Sequence, residues 1–146
     1  MTQVRLTSQF RGQLLSRKTP AGQAAPMDPD QLAADFADWK DGGEDDSYFF
    51  SRNSTAANGK FLSHVHMVPV NTPHALELWD KNWQRHSRRV SDRYLFYVDG
   101  GSSSGFLLIA MVDDPGAHDI WNPGCRSEVK TLEEVADRFY HFGEVP

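Results

Sequence analysis

The spacing of apolar residues predicts one well-defined helix early in the chain. Leu32, Phe36 and Trp39 recur at i, i+4 and i+7, which places them on one buried stripe. Asp28 is a favourable N-cap in front of this stripe, and two glycines follow Lys40 closely enough to end a helix. The pattern predicts a helix over 28–42.

Four other segments have the character of strands. Residues 2–6 are short and alternate, and residues 61–68 alternate strictly between two faces. Residues 93–98 (RYLFYV) and 106–112 (FLLIAMV) are separated by a glycine- and serine-rich turn. This pair predicts a β-hairpin, whose continuously apolar second strand is covered on both faces.

The remaining segments complete the predicted order of elements. Residues 7–27 are aperiodic and predict a mobile loop, 44–60 look irregular, and 75–83 fit a short helix. Thr131, with Glu134 three residues later, predicts the start of the last helix. The order favours a single α+β domain over 1–146, with a small antiparallel-rich sheet packed by two or three helices.

Composition narrows the class of protein. Hydrophobic residues make up 39% of the chain and charged residues 24%, which is typical of a folded globular protein. Cys125 is the only cysteine, so internal disulfides and multi-cysteine metal sites are excluded. No apolar run approaches the roughly 20 residues of a membrane span, and no secretory signal or nucleotide-binding glycine motif occurs. We therefore expect a cytoplasmic protein with no membrane association and no cofactor.

Charge is unevenly distributed along a chain whose net charge is −5. Residues 28–46 hold eight acidic side chains, whereas 81–93 hold five basic ones. Clustered guanidinium groups bind phosphates, and nearby tryptophans can stack on unpaired bases, although such residues also serve solubility and core packing. The candidate RNA-binding residues are Lys81, Trp83, Arg85 and Arg89.

Two histidines give the strongest hint of chemistry. His64 and His66 are two residues apart in a predicted strand, so their rings share one face about 7 Å apart. They fit general acid–base catalysis, but also a metal site with a third ligand such as His118, or simply a half-solvated strand. His118 follows a turn after the central strand, where loops commonly deliver functional side chains.

An ordered set of segments resembles the YafO family of type II toxins. The segments are LAADFADWKDGG (32–43), LSHVHM (62–67), SRRVSDRYLFYV (87–98), FLLIAMVDDPGAH (106–118) and LEEVADRF (132–139). The resemblance implies a RelE-like fold and an mRNA interferase that acts on the ribosome, neutralised by a cognate antitoxin, with a toxin–antitoxin oligomer as a further form. The chain departs from the family in its longer 16–27 segment and in FSRNS (50–54), where Arg52 stands in for a glycine-arginine-aspartate run.

The resemblance and the chemistry together suggest a metal-independent endoribonuclease. RNA carries its own nucleophile, so the protein must supply a base, an acid and stabilisation of the phosphorane. We expect His64 or His66 as base and His118 as acid. Arg88 and Arg93 are the expected phosphate clamps. The full candidate catalytic set is His64, His66, Arg88, Asp92, Arg93, Tyr97 and His118, with Tyr97 in an orienting role.

Two alternatives remain open from the residues alone. The first is a non-catalytic module that docks RNA or the ribosome through its basic segment. The second is a metal-dependent hydrolase built on His64 and His66.

Overall fold

A computed structural model describes residues 2–43, 46–55 and 61–146, without the side chains of Arg52 and Thr55. The expectation for Arg52 and part of the 44–60 expectation therefore lie outside the described residues. In chain order the elements are β1 (Val4–Leu6), α1 (Ser8–Leu15), α2 (Pro29–Gly42), β2 (Phe50–Thr55), β3 (Leu62–Met67), α3 (Pro73–Gln84), β4 (Tyr94–Asp99), β5 (Phe106–Val112), two short 3₁₀-helices (Ala117–Trp121 and Pro123–Cys125) and α4 (Arg126–Phe142).

Within the described ranges, five strands form one sheet in the order β1-β5-β4-β3-β2. β1 runs parallel to β5, and the other neighbouring pairs are antiparallel. The predicted hairpin is confirmed, since Tyr94 pairs with Val112 and Asp99 with Phe106. The mixed, mostly antiparallel sheet with its helices confirms the α+β, RelE-like expectation.

The first face of the sheet is covered by α1 and α2. The predicted stripe of α2 is confirmed, because Phe36 and Trp39 are buried against Leu95 and Tyr97 of β4. The rings of Phe36 and Tyr97 meet edge to face with centroids 5.0 Å apart. Burial of each such aromatic side chain contributes roughly 1.5–3 kcal/mol, so this contact anchors α2 to the sheet.

The second face of the sheet is covered by α4 over part of its length. Phe139 of α4 packs in one buried cluster with Leu62 and Phe96. His66 is four residues beyond Leu62 along β3, about 13 Å away on the same face. The end of β3 that carries His66 therefore lies beyond this contact with α4. In the described ranges, no helix combines the length and apolar character of a membrane span.

The expectation of a loop over 7–27 is wrong for its first part, which is α1. The helix has weak amphipathic character because Gly12 and Gln13 interrupt it. Its start is nevertheless capped, since the Thr7 hydroxyl accepts a hydrogen bond from the Phe10 amide at 3.1 Å. Phe10 and Leu14, one turn apart, bury its inner side.

The irregular character expected over 44–60 is also wrong for residues 50–55, which form β2. This is an edge strand paired to β3 with a register shift between Phe50 and Asn53. A polar edge strand interrupted by an irregularity lacks the period-two signal that identifies a half-buried strand.

The last helix begins six residues earlier than predicted. α4 starts at Arg126, and Thr131 lies inside it, where its hydroxyl donates to the Ser127 carbonyl at 2.9 Å. A threonine that bonds back to the preceding turn has the same sequence signature as an N-cap, which explains the error. The short helix expected over 75–83 is confirmed as α3.

Candidate active site

An open cleft lies on the second face of the sheet, between β3, β4 and the 3₁₀-helix Ala117–Trp121. Its volume is about 500 Å³. Two separate stretches of histidine converge in it, together with an acidic side chain and two large rings. The lining residues are Ser54, His64, His66, Val90, Ser91, Asp92, Tyr94, His118 and Trp121.

Tyr94 forms the floor of the cleft, and the three imidazole rings lie around it. Its ring centroid lies 4.8 Å from that of His64, 5.0 Å from that of His66 and 6.1 Å from that of His118. The register of the sheet produces this arrangement, because His66 pairs with Tyr94 and His64 with Phe96. Directly paired residues of antiparallel strands project to the same face, so both histidines point into the cleft.

Asp92 and His118 form a hydrogen-bonded pair at one side of the cleft. His118 Nδ1 lies 3.0 Å from Asp92 Oδ1, and the His118 amide donates to the same oxygen at 2.7 Å. The Gly116 amide donates to Asp92 Oδ2. An ionised carboxylate only accepts hydrogen bonds, so His118 Nδ1 carries a proton. Nε2 is then the ring nitrogen that can take up or release a proton. The His118 side chain is 63% exposed, so it is accessible from solvent.

His66 is held in a different way. Its Nδ1 accepts a hydrogen bond from the Ser91 amide at 3.0 Å. A backbone amide only donates, so the neutral ring carries its proton on Nε2. In the neutral rings that these bonds favour, the proton is therefore on Nε2 in His66 and on Nδ1 in His118.

The loop before β4 carries the hydrogen-bond partners of His66 and His118, which are the Ser91 amide and the Asp92 carboxylate. The Ser91 hydroxyl donates to the Met67 carbonyl at 2.5 Å and accepts from the Arg93 amide at 3.2 Å. These bonds tie the loop to the end of β3 and present the Ser91 amide and the Asp92 carboxylate to the cleft. The geometry depends on backbone contacts that a residue pattern does not reveal.

Arg93, expected as a phosphate clamp, lies away from the cleft. It is 3% exposed, and its Nε donates to Asp113 Oδ1 at 2.9 Å while Nη1 donates to the Val68 carbonyl at 3.0 Å. Burial lowers the pKa of the Arg93 guanidinium, and the Asp113 carboxylate opposes that shift. Arg17 binds the same carboxylate at 2.8 Å. The arrangement is a structural ion-pair network that joins the first loop to the sheet.

Arg89 and Trp83, expected to contact RNA, are also engaged within the fold. Arg89 is 5% exposed and donates to the carbonyls of Tyr48 and Ser47 at 2.8 and 2.7 Å. Its guanidinium lies 4.8 Å from the Trp83 ring centroid. The pair fixes α3 to the loop before β2; Arg89 is buried there, whereas Trp83 is half-buried. Lys81, Arg85 and Arg88 are exposed.

Tyr97, expected to orient a catalytic group, belongs to the core of the first face. It is 2% exposed, and its hydroxyl donates to Asn53 Oδ1 and is 3.4 Å from Lys40 Nζ. Alternation along β4 places Tyr94 and Tyr97 on opposite faces. The tyrosine in the cleft is therefore Tyr94.

Asp114, next to the Arg93 network, closes the loop that leads to the 3₁₀-helix. Its carboxylate accepts from the amides of Val70 and Asn71, each at 2.9 Å, and from the Thr72 hydroxyl at 2.7 Å. Burial by itself would raise the pKa of Asp114, but these hydrogen bonds outweigh it and the pKa lies below its ordinary value. The ionised carboxylate thereby holds α3 next to the start of the segment that carries His118.

Sequence reasoning missed five of the lining residues, Ser54, Val90, Ser91, Tyr94 and Trp121. Ser54 pairs with His64 across the β2–β3 register, which required β2 to be recognised. Trp121 follows His118 by three residues, which is one turn of a 3₁₀-helix, and this spacing was the available signal. Among the residues described, no group of three or more histidine, cysteine or acidic side chains is placed to hold a metal ion.

Comparison with known proteins defines the class to which this fold and cleft belong. A family model described as Toxin YafO, type II toxin-antitoxin system, matches residues 37–141. The matched region runs from within α2 to within α4 and includes every residue of the cleft, so the protein is the toxin of a type II toxin–antitoxin system. The chain belongs to the YafO toxin family, as its resemblance suggested. No curated protein and no solved structure matches the chain.

Proposed function

We propose that this toxin is an endoribonuclease that cleaves mRNA on the ribosome through the cleft described above. The observation that carries the proposal is the Asp92–His118 pair, which faces the His64–His66 pair across Tyr94 in one open site. Acid–base cleavage of RNA needs two proton-transferring groups on either side of a phosphate, and this cleft supplies them.

The reaction balances without any added reactant. A base removes the proton from a ribose 2′-hydroxyl, and the resulting oxygen attacks the adjacent phosphorus. The bond from phosphorus to the 5′-oxygen breaks, and an acid protonates that oxygen. The products are a 2′,3′-cyclic phosphate and a 5′-hydroxyl.

The hydrogen bonds favour distinct roles for the three imidazoles of the cleft. His118 suits the acid, because the Asp92 carboxylate holds its Nδ1 proton and balances the charge of the protonated ring. His66 suits a neutral donor to a phosphate oxygen, since its Nδ1 already accepts from the Ser91 amide. The base is then His64, which agrees with one of the two assignments expected from the sequence.

Arg88 is the guanidinium that we assign to the phosphate. It is exposed, unlike Arg89 and Arg93. Val90, two residues further along, lines the cleft, and two residues of chain span at most about 7 Å. An arginine there reaches a bound phosphate and can donate two parallel hydrogen bonds to it.

The ribosome supplies affinity that the chain itself lacks at physiological ionic strength. A net charge of −5 disfavours tight binding of free RNA, since phosphate contacts dominate such binding. A toxin of this kind acts in the cytoplasm, where translating ribosomes present the mRNA.

Membership of a toxin–antitoxin family implies a cognate antitoxin. We propose that an acidic segment of that partner covers the exposed basic residues Lys81, Arg85 and Arg88, because opposite charges steer and hold such interfaces. Co-expression of the neighbouring reading frame should restore growth, and toxicity that persists in its presence would count against this partner.

A reconstituted translation system tests the proposal. The wild-type protein should cut mRNA only while it is translated, as read by primer extension. A variant with alanine at His64, His66 and His118 should not cut, yet should co-sediment with ribosomes as the wild type does. Normal cutting by the triple variant would refute the site, and inhibition of translation without cutting by the wild type would indicate a non-catalytic ribosome-binding protein.

A further inference from the structure

Trp121 presents a large aromatic surface at the edge of the cleft. Its side chain is among the exposed large hydrophobic residues, at 43%. The indole packs against rings of the cleft, with its centroid 5.2 Å from that of His64 and 6.3 Å from that of Tyr94. Packing against the protein therefore holds one part of the ring in place while the rest is open to a ligand.

The short 3₁₀-helix links this ring to the acid. Successive turns of a 3₁₀-helix contain three residues, so side chains at i and i+3 project in the same direction, about 6 Å apart along the axis. His118 and Trp121 have this spacing within Ala117–Trp121. If the phosphate of a ligand is bound at His118, the group of the ligand next to that phosphate therefore lies close to the indole.

We propose that Trp121 stacks on the base of a nucleotide next to the cleaved phosphate and so holds single-stranded RNA in the cleft. The inference rests on the proposed ribonuclease function and adds a substrate-binding residue to it. Every nucleobase has a flat π-face, so an indole binds an unpaired base with little regard to sequence. A base held in this way must be out of a duplex stack, which restricts the substrate to single-stranded RNA.

The location distinguishes this ring from other exposed aromatics. Phe142 is 78% exposed at the end of α4, and it is not among the residues that line the cleft. It serves as a matched control, because its replacement removes exposed aromatic surface without touching the site.

Binding of two uncleavable hexanucleotides tests the inference. One is hexathymidylate DNA, which lacks the 2′-hydroxyl, and the other has the same sugar–phosphate chain without bases. Titration calorimetry at low ionic strength gives the ratio of their dissociation constants. Stacking predicts that the wild type prefers the hexamer with bases by roughly 5- to 150-fold, the range that one stacked base supplies.

The variants separate a stacking role from a structural one. Trp121→Ala should reduce the preference to under about twofold, Trp121→Phe should keep most of it, and Phe142→Ala should leave it unchanged, since only the first removes the stacking surface. An undiminished preference in Trp121→Ala would overturn the inference, as would failure of the wild type to bind the hexamer with bases more tightly. If stacking is found but the wild type does not cut translated mRNA, the proposed nuclease function fails while Trp121 remains a base-binding residue.

Discussion

His118 Nδ1 lies 3.0 Å from Asp92 Oδ1, although the two residues are 26 positions apart in the chain. The same carboxylate also accepts the amides of Gly116 and His118, so it fixes both the backbone and the ring of this segment. A carboxylate that orients an imidazole from behind determines which ring nitrogen can exchange a proton.

Replacing this carboxylate should impair catalysis. We expect Asp92→Asn to lower the single-turnover rate of mRNA cleavage on the order of 10²-fold, because the neutral amide does not balance the charge of the protonated ring and has only one acceptor oxygen for the donors that the carboxylate holds. Asp119→Asn, an exposed acid on the same 3₁₀-helix, is the control and should stay within about twofold of wild type. Equal losses in both variants would show that the effect is not specific to the pair.

Replacing His66 by asparagine should mainly lower activity, whereas replacing it by glutamine should mainly lower stability. In His66→Asn the side-chain oxygen lies near the former Nδ1 and can still accept the Ser91 amide, but the donor to the substrate is lost. In His66→Gln the terminal amide reaches the former Nε2, so the donor is kept while the Ser91 amide loses its partner, at about 1 kcal/mol. Urea unfolding and cleavage rates should therefore rank the two variants in opposite orders, and the same order in both measurements would contradict the assigned role.

Replacement of Arg93 should mainly lower stability, whereas replacement of Arg88 should mainly lower the cleavage rate. Arg93→Ala leaves Asp113 without the buried one of its two guanidinium partners and should lower the free energy of unfolding by about 3 kcal/mol. Arg88→Ala removes an exposed side chain and should change stability by less than about 0.5 kcal/mol while it slows cleavage. A stable but inactive Arg93→Ala protein would return Arg93 to the active site.

The carboxylate of Asp114 should make stability depend on acidity. Its pKa is below the ordinary value in the folded state, so its contribution is fully present above the unfolded pKa of about 3.9 and is lost as pH falls through the folded pKa. Asp114→Asn should be less stable at pH 7 by about 1–3 kcal/mol, since three donors to the carboxylate lose part of their acceptor. Unfolding free energies measured from pH 5 to pH 2 should converge for the two proteins, and parallel curves would contradict this role.

Local signals were sufficient for much of the fold. The α2 stripe, the β4–β5 hairpin and the shared face of His64 and His66 follow from periodicity, because burial on one face determines which residues are apolar. α1 and β2 were missed because Gly12 interrupts the helix pattern and the edge strand is polar. Their stability comes from packing and pairing with distant segments, which a local pattern does not contain.

The candidate site was predictable only in part, for a related reason. A count of basic residues in 81–93 does not say which are buried, and the structure shows Arg89 and Arg93 engaged with backbone carbonyls or with Asp113. One residue of offset in a strand separates Tyr94 in the cleft from Leu95 in the opposite core. The Asp92–His118 pair depends on a turn that brings distant residues together, and no spacing rule predicts it.

The chemical ends of the cleaved mRNA are the most direct test of imidazole catalysis in this cleft. Wild-type protein, added to a translation reaction and stopped after one turnover, should leave a 2′,3′-cyclic phosphate and a 5′-hydroxyl. His118→Ala should reduce the yield on the order of 10²-fold, whereas His74→Ala, at an 82% exposed side chain on α3, should not. A 3′-hydroxyl with a 5′-phosphate, or an undiminished yield from His118→Ala, would contradict imidazole catalysis in this cleft.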